Sequence, residues 1–239
     1  MQIKYNIVIP YSESGDKYKG EELRHSLRSL EMYGENYNEV FLVGDRPSWY
    51  KGNMIETDNG GYEYGNGGIF HKVCLGAEVA GDAIHWQDDY FLTKPCDFFT
   101  LPNYYREEDM LTTIKRFEKT NKRWSGTLNN SREYLLSKGL PTRMFDMHVP
   151  MLFKKEPLLK FRELDWTIPF QYGLKSLYGN SVDYPIEFLK DNKIVGQMNK
   201  HVFEQNIRVN KFISTCPYIS DEIKKVLFGL YPHKSRFEI

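Results

Sequence analysis

The opening of the chain confines it to few folds. Tyr5 to Pro10 (YNIVIP) is a short, β-branched apolar run and reads as a buried strand. Glu21 to Tyr33 (EELRHSLRSLEMY) places Leu23, Leu27 and Leu30 on one face of a helix, with charges on the other, and Gly34 suits its end. Val40 to Val43 (VFLV) reads as a second strand, which Gly44-Asp45-Arg46-Pro47 breaks. Strand, helix and strand at this spacing form a βαβ unit, so the strands run parallel beneath a helix. With 239 residues, 41% of them apolar and 15% aromatic, the chain is globular material and long enough for one substantial core.

Asp58 to Gly68 (DNGGYEYGNGG) holds five glycines in eleven residues, as an inert linker or a lid would. It matches neither a phosphate-binding P-loop nor a dinucleotide fingerprint. Ile69 to Ala80 reads as a helix that Gly81 ends. The run Ala83 to Leu92 (AIHWQDDYFL) then reads as a strand whose tip carries Asp88 and Asp89, with a turn at Pro95. Ile84, Trp86, Phe91 and Leu92 are apolar enough to bury it. A buried strand does not tolerate two adjacent anions without a cation to meet them. The pair therefore belongs just past the carboxyl end, where open α/β sheets bind their ligands. A hard divalent cation would accept both carboxylates and still hold the phosphates of a second ligand. The rival reading is a solvated Asp-Asp turn.

After Pro102 the pattern is polar and helical to about Lys138, with Trp124 and Tyr134 as packing residues, so 103–140 reads as a helical acceptor-side insertion. Phe145 to Phe153 (FDMHVPMLF) reads as another buried strand and carries His148-Val149-Pro150. Asp165 to Tyr178 reads as a helix started by Asp165. Within the mixed extension 181–239, Ser220 to Leu230 reads as a helix capped by Ser220. No internal repeat or domain boundary appears, which makes 1–239 a single catalytic domain.

The formal net charge is zero, from 32 basic and 32 acidic residues, so no global field steers the protein to nucleic acid or an anionic membrane. Locally, Lys115, Arg116, Lys119, Lys122 and Arg123 face only Glu118, which reads as a solvated helix face or as a contact for a phosphate-bearing acceptor. Cys74, Cys96 and Cys216 form no paired spacing, as expected of reduced thiols in a cytoplasm. No apolar run is long enough for membrane insertion. The expected location is the cytoplasm of a bacterium or of a phage-infected host.

Four segments taken in order resemble the Stealth family. Glu22 to Leu30 (ELRHSLRSL) is similar to its first E-L-R-x-S-L-R-S region, and Val43 to Trp49 (VGDRPSW) to its T-D-x-x-P-x-W segment. Gln87 to Phe91 (QDDYF) is similar to its N-D-D-x-F motif. His148-Val149-Pro150 with Phe161 to Trp166 (FRELDW) resembles its H-x-P and R-x-x-E-D region. The resemblance covers residues 5–180. It implies a GT-A-like, Rossmann-like α/β fold with a mixed, mostly parallel sheet flanked by helices. It also implies a nucleotide-sugar donor, a Mn²⁺ or Mg²⁺ ion, and transfer of a sugar or a sugar-1-phosphate.

On that reading Asp89 ligates the metal and Asp88 makes a second contact, to the metal or to the donor. Tyr11 and Ser12 end the first strand, where a nucleobase would stack and hydrogen-bond. Asp45 ends the second and would accept from base or ribose. Arg24 and Arg28 share a helix face; of the two, Arg24 is the candidate for the donor phosphates. His148 is the candidate general base, since imidazole suits removal of a hydroxyl proton. Asp165 is the competing base and Arg162 the candidate partner of the leaving phosphate. His201 and His233 are candidates for a third metal ligand. The acceptor is a glycan, such as a surface polysaccharide, or a hydroxylated base in phage DNA. Rivals from other classes are a metal-dependent hydrolase or nuclease on the same carboxylates, and a non-catalytic sugar-binding domain.

Overall fold

The computed structural model describes residues 4–15, 20–62, 65–190, 193–194, 198–216 and 219–239. The first half runs β1 (Tyr5–Tyr11), α1 (Glu21–Tyr33), β2 (Gly34–Glu35), β3 (Tyr37–Gly44), β4 (Asn53–Glu56), α2 (Asn66–Ala80) and β5 (Ala83–His85). There follow β6 (Tyr90–Leu92), β7 (Cys96–Asp97), β8 (Asn103–Asp109), α3 (Met110–Phe117), α4 (Lys122–Ser137), β9 (Arg143–Met144) and β10 (Met151–Phe153). The chain closes with α5 (Lys155–Leu159), α6 (Leu174–Ser181), β11 (Ile186–Phe188), β12 (Lys193–Ile194), α7 (Lys200–Val209), β13 (Phe212–Thr215) and α8 (Asp221–Gly229).

The five-stranded central sheet has the order β10-β5-β1-β3-β4. All neighbours are parallel except β10, which runs antiparallel to β5. This is the mixed, mostly parallel α/β sheet expected from the sequence. The chain builds outward from β1 through β3 to β4, then returns through α2 to place β5 on the other side of β1. Strand order therefore reverses between β1 and β5, and the crevice beyond their carboxyl ends is where such a sheet binds ligands.

Alternation along β1 sorts the two faces. Ile7, Ile9 and Tyr11 are buried with Leu23, Leu27 and Leu30 of α1. Val8 points the other way, with Val43 and Ala83, beneath α2. A Cβ on Gly76 would lie 2.4 Å from Val8 Cγ1, so only glycine lets α2 settle this close to the sheet. The far side of α2 packs Phe70 and Val73 into a second cluster with Leu128 of α4, Phe153 of β10, Leu177 of α6, and Trp166, which stacks on Phe70 at 4.1 Å. The tail forms a small sheet, β12-β13-β6, packed on α7 and α8 through Phe91, Phe203, Ile213 and Ile223. Glu238 returns to α1, where Arg28 donates two hydrogen bonds of 2.7 Å to its carboxylate. Burial alone would raise this carboxyl, but Arg28 and Ser235 hold it at about 2.

Four expectations are corrected. The strand expected over Ala83–Leu92 stops at His85; the chain turns at Asp88-Asp89, and Tyr90–Leu92 joins the tail sheet. Ser26 on α1 enforces that break: its hydroxyl donates to the Tyr90 carbonyl at 2.6 Å and accepts from the Trp86 indole at 2.8 Å. Residues 103–109 form strand β8, not helix, because pairing with β9 and β11 outweighs their polar composition. Only α3 and α4 of the expected helical insertion are helical, and Leu128 and Leu135 of α4 enter the α2 cluster. Of the strand expected over 145–153, only Met151–Phe153 pairs; Pro150 lacks a donor, and Ser176 of α6 takes the N–H groups of Phe145 and Asp146 instead. The helix expected from Asp165 begins at Leu174, since Asp165 closes a local turn on Thr167. The helices expected at Glu21–Tyr33 and Ser220–Leu230 are present, with Ser220 capping Ile223 N.

Candidate active-site cleft

Three adjoining cavities cross the carboxyl end of the central sheet. The first, about 260 Å³, is lined by Tyr11, Ser12, Asn59, Gly65, Lys72 and Asp88 among others. The second, about 170 Å³, lies between α2 and α6 and shares Ile69 with the first. The third, about 610 Å³, opens toward α4 and shares Asn66, Trp124, Asp146 and His148 with the second. The amino end of α2 stands at the junction of all three.

The strand tips furnish one wall. Asp45, past β3, accepts from Ser12 Oγ (3.2 Å) and from Glu13 N (2.8 Å), and so shapes the loop after β1. Tyr11 is 2% exposed, with its ring in the core, so it lines the first cavity without offering a free aromatic face. Its carbonyl accepts from Lys72 Nζ at 2.8 Å. Lys72, from α2, is buried; burial lowers its ammonium pKa, and Asp45, Asp58 and Asp88 oppose that shift. No signal singled out this lysine except its place on an otherwise apolar helix.

Asp88 and Asp89 occupy the turn beyond β5, the strand end where the sequence places them. Asp89 Oδ2 accepts from Ser214 Oγ of β13 at 2.8 Å and faces Lys193 Nζ of β12 at 3.8 Å. Asp89 Oδ1 is buried and has no hydrogen-bond partner. A buried carboxylate oxygen left bare is costly and calls for a partner. A hard divalent cation is such a partner, and two carboxylates suffice when water and ligand phosphates complete its shell. The pair therefore fits a Mg²⁺- or Mn²⁺-type ion. Among the described residues no group of three or more His, Cys, Asp and Glu side chains could hold a metal. His201 is exposed and bonded to Gln205 (3.0 Å), and His233 is exposed, so neither stands as a third ligand.

The opposite wall is the loop before β10. Asp146 and His148 both line the second and third cavities. The loop is fixed from α6. Lys175 Nζ donates to Met147 O (2.7 Å), Val149 O (2.6 Å) and Tyr90 Oη (2.7 Å). The Asp146 carboxylate accepts from Lys175 N and Ser176 N, both at 3.2 Å, capping α6 over Gly173. A Cβ on Gly173 would stand 2.3 Å from Asp146 Oδ2. Burial pushes the Asp146 carboxyl up from its ordinary value. Arg106, Arg123 and Lys193 add cations around the third cavity, beside Phe117 and Trp124. Of the five cations of the 115–123 segment, Arg123 alone lines it; Arg116 pairs with Glu108 at 2.8 Å.

Three expected site residues lie elsewhere. Arg24 stacks on Trp49 (4.7 Å) and approaches Glu21 (3.4 Å). Arg162 donates to Glu78 on α2 at 2.6 Å. Asp165 is exposed and accepts from Thr167. None of them lines any of these three cavities. Asp45 and Asp89 do not line them either; Asp45 bonds to the lining residue Ser12, and Asp89 follows the lining residue Asp88 in the chain. Lys72, Asp146, Lys175, Lys193 and Ser214 were not apparent as site residues in the sequence.

Comparison with protein-family models gives no match, and comparison with curated proteins gives none. Among solved structures, mouse xyloside xylosyltransferase 1 in its apo form aligns over 89% of this chain and 97% of its own, at 11% identity and a TM-score of 0.43. The glycosyltransferase GlyE of Streptococcus pneumoniae TIGR4 aligns over 94% of this chain and 82% of its own, at 9% identity and a TM-score of 0.29. At these identities and TM-scores the likeness carries no conclusion about activity.

Proposed function

We propose that the chain transfers a sugar from a nucleotide-sugar to a hydroxyl acceptor. The observation that carries this is Asp89 Oδ1, a buried carboxylate oxygen without a partner, next to Asp88, which lines the first cavity past the switch point between β1 and β5. Asp88 and Asp89 would hold a divalent cation there. Bound, that ion supplies charge neutralisation at a diphosphate leaving group. Ser12 and Asp45 contact the nucleoside, and Lys72 adds a fixed positive charge near the phosphates. On the other wall His148 orients the acceptor hydroxyl and takes its proton. The acceptor oxygen forms a bond to the anomeric carbon, the bond from that carbon to the phosphate oxygen breaks, and the nucleoside diphosphate departs.

A thermal-shift panel of nucleoside diphosphates and nucleotide-sugars, with and without Mn²⁺, tests the reading. Ligand at a hundredfold over Kd adds about 2.7 kcal/mol to native stability. For a chain of this length that is a rise in Tm of roughly 5–10 °C. The rise is expected to need the metal and to vanish in Asp89→Asn. Equal stabilisation in excess chelator and in that variant would overturn the proposal. If the transferred group carries the phosphate with it, the product mass shows a sugar-1-phosphate transferase. A two-metal hydrolase or nuclease needs more acidic ligands than gather here among the described residues.

Arg106, Arg123 and Lys193 around the third cavity favour, within this reading, an acceptor that bears phosphate, such as a hydroxylated base in DNA, over a neutral glycan. Binding of such an acceptor would weaken steeply with salt. Binding of a neutral glycan would not.

A further inference from the structure

We infer that the middle cavity of the cleft holds the transferred group as a single neutral sugar ring, and that His85 reads the hydroxyls of that ring. The inference rests on the transferase reading and specifies its donor. His85 ends β5 and is 2% exposed. It stacks on Phe153 at 5.4 Å, and both ring nitrogens are buried with no hydrogen-bond partner. An imidazole packed into a core without partners forfeits hydrogen bonds that water would give it. His85 lines the cavity, and a ligand hydroxyl that reached its ring edge there would restore them.

Size and position agree. The cavity measures about 170 Å³. A closed cavity of roughly 150 Å³ admits benzene; this one is somewhat larger and continues into its two neighbours, which leaves room for the hydroxyls of a single sugar ring. It adjoins the Asp88 cavity through Ile69 and the acceptor cavity through Asp146 and His148, so it lies where a transferred group must sit. Its wall is mixed: Asn66, Gln87 and His148 stand with His85, alongside Trp124 and Leu174. Hydrogen-bonding groups beside apolar ones suit a sugar, which carries hydroxyls at its ring edge and C–H groups on its faces.

Charge decides the class of sugar. Burial, reinforced by Lys175, keeps His85 neutral, so one ring nitrogen donates and the other accepts. A hydroxyl is both donor and acceptor and satisfies either. Lys175 itself is turned to Tyr90, Met147 and Val149. Lys175 also lines the cavity, but an acidic sugar would have to displace one of those three bonds to pair with it.

The test measures binding by calorimetry in the presence of Mn²⁺, using the nucleoside diphosphate that binds best and its neutral sugar, deoxy-sugar and uronic-acid conjugates. Wild-type protein is expected to bind the neutral conjugate about tenfold more tightly than the bare diphosphate, and to lose about that factor when the hydroxyl read by His85 is deleted from the sugar. The uronic-acid conjugate is expected to bind more weakly than the neutral one. His85→Phe, which keeps the stack on Phe153, should bind the bare diphosphate as wild type does and lose the advantage of the sugar; His85→Gln should recover part of it. If His85→Phe fails to fold, the deoxy series on unaltered protein decides alone. Deoxy conjugates that all bind like the parent, or a sugar advantage that survives in folded His85→Phe, overturn the inference and leave the transferase reading standing. Failure of wild type to bind any nucleoside diphosphate or conjugate overturns both.

Discussion

The two walls of the cleft are built by different means. The wall proposed for the donor is a row of strand tips: Ser12 after β1, Asp45 after β3, and Asp88 after β5 each sit where a parallel strand runs out. The wall proposed for the acceptor is an irregular loop, 145–150, whose backbone is held by Lys175 and Ser176 from a helix about thirty positions later. Strand tips are placed by the sheet. A loop is placed only by what reaches into it. The first wall should therefore survive single substitutions that disorganise the second.

The largest effect is expected at His148. His148→Gln should lower turnover by about 10² to 10⁴-fold with donor affinity unchanged, as loss of a general base does; normal turnover in initial-rate assays would remove the acceptor wall from the chemistry. Lys175→Met keeps the shape but strips hydrogen bonds from two carbonyls and the Tyr90 hydroxyl. Urea unfolding should show a loss of roughly 3 kcal/mol, and nucleotide binding should weaken less than turnover.

Asp146 gives a sharper comparison through pH. Its carboxyl is raised by burial, so folding favours the protonated form. That contribution is fully present below the ordinary aspartate pKa and is lost as pH rises through the elevated folded value. Asp146→Asn keeps one of the two acceptors that cap α6 and has no such dependence. Measured by thermal melts from acid to neutral pH, its deficit against wild type should be largest in acid and shrink toward neutrality. The smallest effect belongs to the strand tips. Asp45→Ala removes the acceptor for Ser12 Oγ and Glu13 N and should cost about 1 kcal/mol, leaving the acceptor wall intact. A collapse larger than that of Lys175→Met would reverse the ranking of the two walls.

This difference also explains what the sequence discloses. Alternation and leucine spacing mark β1, α1 and β3, and the rule for open sheets then places Asp45, Asp88 and Asp89 at the crevice. The Glu21–Tyr33 helix is found to the residue. Tyr11 lines the first cavity, but alternation also sends a strand-tip ring inward, and here it joins Ile7 and Ile9. Asp146, two positions before the legible His148, is not legible itself because its role depends on α6 starting at Leu174 and not at Asp165. Lys175 lies in a buried helix, and only its distant carbonyl partners reveal it. Arg162 and Asp165 were attractive as motif residues, yet a partner on α2 and a local turn on Thr167 engage them outside the cleft.

The grip of Ser214 on Asp89 spans 125 positions of chain, and Thr215 likewise reaches Glu22 across 193. Contacts so remote close large loops, at an entropic cost that local contacts escape. The acidic corner thus depends on the docked tail for its shape, so removing the tail strands would strip Asp89 and Glu22 of these partners even where the central sheet needs neither.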